Sequence, residues 1–147
     1  MTYQLAQVNI AQLLEPLDSP RLKDFVNNLD RINALAEAAP GYVWRLTGDG
    51  NDATSLRVFD NDQLIINMSV WESPEALKNY VYHSDHVAIM RRRREWFTRM
   101  DMFMALWWVP VGHQPTPTEA EERLTHLRQH GPTQHAFTFQ QVFPTPK

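Results

Sequence analysis

The sequence predicts an α+β domain of ferredoxin-like type, with the order β-α-β-β-α-β followed by an extra C-terminal helix and strand. Three observations support this fold class: strands with alternating apolar residues, two helices that each begin at a Ser-Pro step, and a Gly- and Asn-rich break after the second strand. The 147 residues fit one domain spanning 1–147, and 43% of them are hydrophobic, which suffices for one core.

The first half of the chain supplies two strands and one helix. Alternation over residues 3–13 predicts a strand. The Ser19-Pro20 step starts a helix with one apolar stripe, and Pro40-Gly41 ends it. Residues 42–47 predict the second strand, and the following loop has room for a short strand at residues 55–59.

The second half repeats the pattern and then extends it. The predicted elements are a strand over 64–71, a helix over 74–82, a helical continuation over 85–99, a strand over 103–109, a helix over 118–129 and a last strand over 137–142.

Side-chain alternation divides the sheet into two faces. We expect both helices of the core repeat to cover the face of Val8 and Ile10. The opposite face then carries Leu5, Ile65 and Trp71, and it is too apolar to remain in water.

A cover for that second face is therefore required. A second copy of the sheet is the simplest cover, so we expect a homodimer that closes an α/β barrel. The C-terminal segment over residues 115–142 is the alternative cover within one chain.

Composition excludes several classes of protein. The net charge of -3 argues against nucleic acid as the main partner. The absence of cysteine excludes disulfides, thiolate metal sites and a cysteine nucleophile. No stretch approaches the roughly 20 apolar residues of a membrane span, and residues 1–12 do not resemble a signal peptide, so we expect a cytoplasmic protein without membrane contact.

Polar side chains share the second face with the aromatic ones. These residues are Gln7 and Asn9 of the first strand and Asn67, Ser69 and Trp71 of the third. A few polar groups among aromatic residues are typical of a small-molecule site. The alternative is that these groups bond one another across the strands, since buried polar groups need partners.

A resemblance supports the fold and adds a possible chemistry. Val70-Trp71-Glu72-Ser73-Pro74, followed by Ser84-Asp85-His86, resembles a segment of the dimeric α/β-barrel superfamily, which includes antibiotic-biosynthesis and haem-degrading monooxygenases. Within it, the chain is similar to the domain-of-unknown-function 3291 family. The segments that carry this similarity are Arg93-Arg94-Glu95-Trp96-Phe97, Leu106-Trp107-Trp108-Val109-Pro110, Gly112-His113-Gln114-Pro115-Thr116, Glu119-Ala120 and Ala136-Phe137-Thr138-Phe139.

The superfamily resemblance implies catalytic roles for Asn67 and Trp71. In its quinone-forming members, which work without metal or flavin, an Asn and a Trp at similar spacing hold a phenolic substrate. An amide and an indole N–H can stabilise a phenolate. The Tyr expected early in the next helix has no clear match, because Leu77 lies near that place and Tyr80 lies later.

The same resemblance argues against haem. Where the haem-degrading members carry their iron-binding His, this chain has Arg91, which cannot ligate iron. His83 and His86 are the nearby candidates for catalysis or metal binding, but no third ligand follows at a recognisable spacing. We therefore expect no metal and no cofactor.

Two arginines are candidates for binding an acidic ligand. Helical spacing places Arg91 and Arg94 on or beside the apolar face, where a cation needs an anionic partner. That partner is either an internal carboxylate, such as Glu72, Glu75 or Asp101, or the carboxylate or phosphate of a ligand.

Taken together, these residues predict an aromatic-lined pocket for an aromatic or acidic small molecule. Its candidate binding residues are Asn9, Ser69, Tyr80, Arg91, Arg94, Trp107 and His113. A cofactor-independent, monooxygenase-like activity is one function of such a pocket. The alternative is a non-catalytic dimeric protein without redox chemistry.

Overall fold

A computed structural model describes residues 2–15, 18–46, 64–83, 91–98 and 104–146 of the chain. Its elements in chain order are β1 (Tyr3–Gln12), a 3-10 helix (Pro20–Leu22), α1 (Lys23–Ala38), β2 (Tyr42–Arg45), β3 (Leu64–Trp71), α2 (Pro74–His83), α3 (Arg93–Trp96), β4 (Met104–Pro110) and α4 (Pro117–His130). No helix within these ranges has the length and apolar character needed to cross a bilayer.

The strands form one antiparallel sheet in the order β2-β3-β1-β4. This order, with a helix between β1 and β2 and another between β3 and β4, confirms the predicted ferredoxin-like arrangement. The register pairs Gln7 with Ser69 and Asn9 with Asn67, so each of these pairs lies on a common face of the sheet.

The face that α1 and α2 cover is opposite to the predicted one. Leu5 and Trp71 are buried together with Ala36 of α1 and with Leu77 and Tyr80 of α2. The prediction that Leu5 and Trp71 lie away from these helices is therefore wrong. The homodimer is predicted because Leu5 and Trp71 need a cover. Both residues are buried within one chain, so they do not support the homodimer, which stays a prediction.

The remaining face is covered by α4. Ala120, Leu124 and Leu127 of α4 are fully buried against a sheet surface that includes Val8 and Trp107. The C-terminal segment thus covers the sheet within one chain, as the alternative proposed: α4 packs on the Val8 face, and Phe137 joins the cluster of Leu5 and Trp71 on the other face. Both layers together leave the sheet as the middle layer of three.

The glycine at position 41 permits a close approach between α2 and the start of β2. Gly41 has a φ of 84°, and its carbonyl accepts a hydrogen bond of 2.8 Å from the amide of Glu72. A Cβ at this position would lie 2.4 Å from the Cβ of Ala76. A side chain is therefore excluded both by the backbone angle and by the neighbouring helix.

An irregularity in β2 determines which of its side chains reach the α1 side of the sheet. The register shifts between Tyr42 and Trp44, so that Tyr42 pairs with Trp71 and Arg45 pairs with Ser69. Tyr42 and Arg45 therefore share the face under α1 and α2, whereas Trp44 packs against the cluster on the α4 side.

Several predicted boundaries differ from the structure. Phe137 makes only a single bridge to Leu106, so residues 137–142 do not form a regular strand. The helix predicted over residues 85–99 is described only from residue 91, and it ends at Trp96. The short strand predicted at residues 55–59 lies outside the described residues.

Candidate functional site

Four side chains on the face under α1 and α2 form a hydrogen-bonded group, which we call the polar network: Gln7, Asn67, Ser69 and Trp71. Gln7 Nε2 donates to Asn67 Oδ1 and to Ser69 Oγ, both at 2.8 Å, and Trp71 Nε1 donates to Ser69 Oγ at 2.8 Å. The sequence predicts that these side chains share a face, and the register of β1 with β3 brings them into contact.

The hydrogen bonds fix what this network offers to a ligand. Ser69 Oγ already accepts two hydrogen bonds, so the only hydrogen bond that this hydroxyl can still form is one in which it donates its own hydrogen. Because the oxygen of Asn67 already accepts from Gln7, Asn67 presents its NH2 group outward. The network therefore presents donors, which suit an acceptor oxygen or an oxyanion.

The indole of Trp71 is held between two tyrosines. Tyr80 stacks on it with ring centroids 5.2 Å apart, and Tyr42 meets it edge-on at 5.7 Å. Tyr80 O–H donates to the carbonyl of Ile32 at 3.2 Å, and burial raises the pKa of Tyr80 to about 12. Tyr80 is therefore protonated at neutral pH, so it supports Trp71 as a neutral ring and does not act as a base.

The site is open at Asn67 and closed at Trp71. Asn67 is exposed although β3 lies in the middle of the sheet and this residue faces the helical layer. Its neighbour across the strands, Asn9, is half-buried. Trp71 is only 1% exposed, so it supports the network from inside and does not line the opening.

A buried arginine that sequence reasoning missed lies next to the network. Arg45 pairs in register with Ser69 and is 8% exposed. Its Nε lies 3.4 Å from Oε2 of Glu37 in α1. The available signal was a charged residue inside a predicted strand. Gln7 is predicted to lie on this face but is not among the predicted site residues.

Two predicted binding residues lie on the other side of the sheet. Trp107 is buried under α4 and its Nε1 donates to Glu119 Oε2 at 2.8 Å. Glu119 Oε1 lies 2.8 Å from Nε2 of His113, which is exposed. The structure therefore joins Trp107 and His113 to each other through Glu119, but does not bring them to the polar network.

The described part of the arginine run makes a surface ion-pair cluster. Arg92 bonds to Glu95 and to Asp24 at 2.8 to 3.0 Å, and its guanidinium lies 4.9 Å from the Trp96 ring centroid. Arg91 is exposed, so its predicted semi-buried position is wrong. The remaining candidates, which are the side chains of His83 and Arg94 and the whole of His86, lie outside the described residues.

A histidine cluster lies where α4 ends. The ring of His126 lies 4.5 Å from that of His130 and 4.6 Å from that of His135, measured between centroids. Burial, followed by the positive charges of His135 and His130, lowers the pKa of His126. In the part of the chain that the structure describes, no three acidic or histidine side chains are arranged to hold a metal ion.

The sheet order, the helices over one face and the buried polar network define an α+β protein of ferredoxin-like type. The chain belongs to the family described as Domain of unknown function (DUF3291), which matches residues 4–147. This membership confirms the family resemblance drawn from the sequence. No curated protein matches the chain.

Solved structures resemble this fold at low sequence identity. SnoaB, a cofactor-independent oxygenase from Streptomyces nogalater, has a TM-score of 0.50 and 16% identity, over 76% of this chain and 95% of that chain. An asparagine-to-alanine mutant of SnoaB gives a TM-score of 0.50 at 15% identity, with the same coverage. A protein of unknown function from Nitrosomonas europaea has a TM-score of 0.48 and 14% identity, over 79% of this chain and 96% of that chain. At these identities the likeness to SnoaB shows a common fold.

Proposed function

We propose that the chain binds a small aromatic molecule through an acceptor oxygen at the Asn67 end of the polar network. We further propose that its reaction is the cofactor-independent oxygenation of a phenol. The observation that carries the proposal is an exposed amide donor at a mid-sheet position, connected by hydrogen bonds to a buried Ser and Trp.

The polarity of the network supports a phenol as substrate. The outward NH2 group of Asn67, backed through Gln7 by the buried Ser69, would stabilise a phenolate oxygen and so lower the pKa of the bound phenol. An electron-rich phenolate can pass electrons to O2. For a phenol with a hydrogen at the para carbon, the products are a para-quinone and water. One oxygen atom enters the ring, the other leaves as water with the two displaced hydrogens, and the ring supplies all four electrons.

The cofactor-independent oxygenase SnoaB shares the fold and makes this reaction the one to test first. The likeness between the two proteins lies in the fold, so the argument for binding rests on Asn67 and Ser69 themselves. Asn67 is the sharper probe because its side chain is exposed and its replacement leaves the aromatic cluster around Trp71 intact.

The binding test compares wild type with Asn67→Ala by thermal shift in the presence of phenols. A ligand at 100 times its Kd stabilises by about 2.7 kcal/mol, or roughly 5–10 °C for a chain of this size. We expect Asn67→Ala to weaken binding about tenfold, because it removes one hydrogen bond to an anion. Asn79→Ala is the matched control, since Asn79 is an exposed amide on α2 outside the network. Equal binding by Asn67→Ala and wild type would refute the site.

The reaction is tested with an oxygen electrode and by the visible absorbance of the quinone. Oxygen uptake and quinone formation in a 1:1 ratio support oxygenation. Binding without oxygen uptake supports the second candidate, a non-catalytic binding protein. That candidate is favoured by the indole N–H of Trp71, which is already bonded to Ser69 and would not contact a substrate directly.

A further inference from the structure

A buried cation borders the polar network on its β2 side. Arg45 is the register partner of Ser69, which places the two Cβ atoms about 5 Å apart on one face. The side chain is 8% exposed. A guanidinium with so little access to water needs anionic or acceptor groups close to it.

One carboxylate that contacts Arg45, that of Glu37, is suited to exchange. Glu37 Oε2 approaches Arg45 Nε at 3.4 Å, and the Glu37 side chain is 50% exposed. Because half of this carboxylate stays in water, its own transfer fully into solvent costs little, provided that another anion takes its place on the buried guanidinium. Arg45, in contrast, remains buried whichever anion it meets.

The ion pair is also adjacent to the aromatic end of the site. The charges of both Glu37 and Arg45 act on the phenol of Tyr42, whose pKa is raised first by burial and then by Glu37. The ring of Tyr42 in turn contacts the edge of Trp71. Arg45 is therefore the register partner of Ser69 in the network and lies close enough to Tyr42 for its charge to act on that phenol.

We propose that Arg45 recognises a carboxylate of the ligand, which replaces Glu37 on the guanidinium, and that the ligand is therefore a hydroxy-aromatic acid. This inference rests on the proposed function, because it concerns the same binding site. Guanidinium groups bind carboxylates through paired hydrogen bonds, which discriminates an acid from its neutral amide. Arg91 and His113, two of the binding candidates taken from the sequence, do not occupy this position.

The Cα spacing of these residues sets the scale of the ligand. Asn67 and Ser69 lie about 6.7 Å apart along β3, and Arg45 lies about 4.8 Å across from Ser69, so Asn67 and Arg45 are about 8 Å apart at their Cα atoms. One aromatic ring that carries both a hydroxyl and a carboxylate is on the scale of that separation. The probe pair is 3-hydroxybenzoate and its neutral analogue 3-hydroxybenzamide, in which the carbon para to the hydroxyl keeps its hydrogen.

The experiment measures the Kd of both probes by calorimetry for wild type, Arg45→Gln, Arg45→Lys and Glu37→Gln. We expect wild type to bind the acid about tenfold more tightly than the amide. Arg45→Gln should bind both equally. Glu37→Gln should tighten binding of the acid alone, because the competing carboxylate is gone and Arg45 is retained. Circular dichroism establishes that each variant is folded.

The outcomes separate this inference from the proposed function. If wild type binds acid and amide equally and Glu37→Gln changes neither, the Arg45–Glu37 pair is structural and the inference fails, while the phenol site stands. If neither probe binds to wild type, both proposals fail. If Arg45→Gln does not fold, the Kd values of the acid and the amide for Arg45→Lys and Glu37→Gln test the inference, since both variants keep a cation at position 45.

Discussion

Removing the hydroxyl of Ser69 tests the polar network most directly. Ser69 Oγ accepts from Trp71 Nε1 and Gln7 Nε2, each at 2.8 Å, and the three side chains are all at least 94% buried. Ser69→Ala leaves two buried N–H donors unpaired at about 1–3 kcal/mol each, so we expect a loss of about 2–5 kcal/mol. For 147 residues this lowers the Tm by roughly 5–15 °C.

A double-mutant cycle with Trp71→Phe identifies the cause of that loss. In the Trp71→Phe background the indole donor is absent, so Ser69→Ala leaves only the Gln7 donor unpaired. We expect a coupling of about 1–2 kcal/mol, measured by urea unfolding followed by circular dichroism. Thr116→Ala, which removes the hydroxyl that caps α4 on the other face, should show no coupling to Trp71→Phe. Additivity of Ser69→Ala and Trp71→Phe within about 0.5 kcal/mol would refute the network as described.

Three further predictions concern other parts of the molecule. Gly41→Ala should destabilise clearly more than Gly112→Ala in thermal unfolding, because both have a positive φ but only Gly41 has a neighbour within reach of a new Cβ; equal effects would contradict the close approach to α2. The pKa of His126 is lower in the folded chain than in the unfolded chain, so stability should fall as the pH drops below about 6.5. In a series of Tm measurements against pH, His126→Gln should make this decrease smaller. The same slope in both proteins would show that His126 is not responsible. The homodimer is tested by sedimentation velocity at micromolar concentration, where a folded species of 17.2 kDa would count against it.

The order of the elements could be predicted from the sequence because each strand and helix has its own local signal. β3 has the predicted bounds, and β1 and β4 agree within one residue, since alternation and flanking turn residues define a strand locally. The covered face could not be predicted. Both faces of β1 and β3 carry apolar residues, so alternation separates two sets of side chains without indicating which set meets α1 and α2.

The site was predictable only where the strands are regular. Asn67, Ser69 and Trp71 alternate on one strand, and their common face follows from period two. Arg45 could not be assigned in this way. Simple alternation from Tyr42 would place it on the opposite face, and only the register shift in β2 brings it to Ser69. Irregularities of this kind depend on pairing with a distant strand and have no local signal.

The bridge between Phe137 and Leu106 has a consequence for solubility. β4 is an outer strand of the sheet, and a strand in this position offers unpaired backbone groups that can recruit a second molecule into an extended sheet. Leu106 and Phe137 exchange two backbone hydrogen bonds of 2.8 Å, and the indole of Trp108 donates to the carbonyl of Phe143. The C-terminal segment thus covers the outer edge of β4 and blocks its pairing with a strand of another molecule. Shortening the chain before Phe137 would expose an aromatic-rich edge to intermolecular β-pairing.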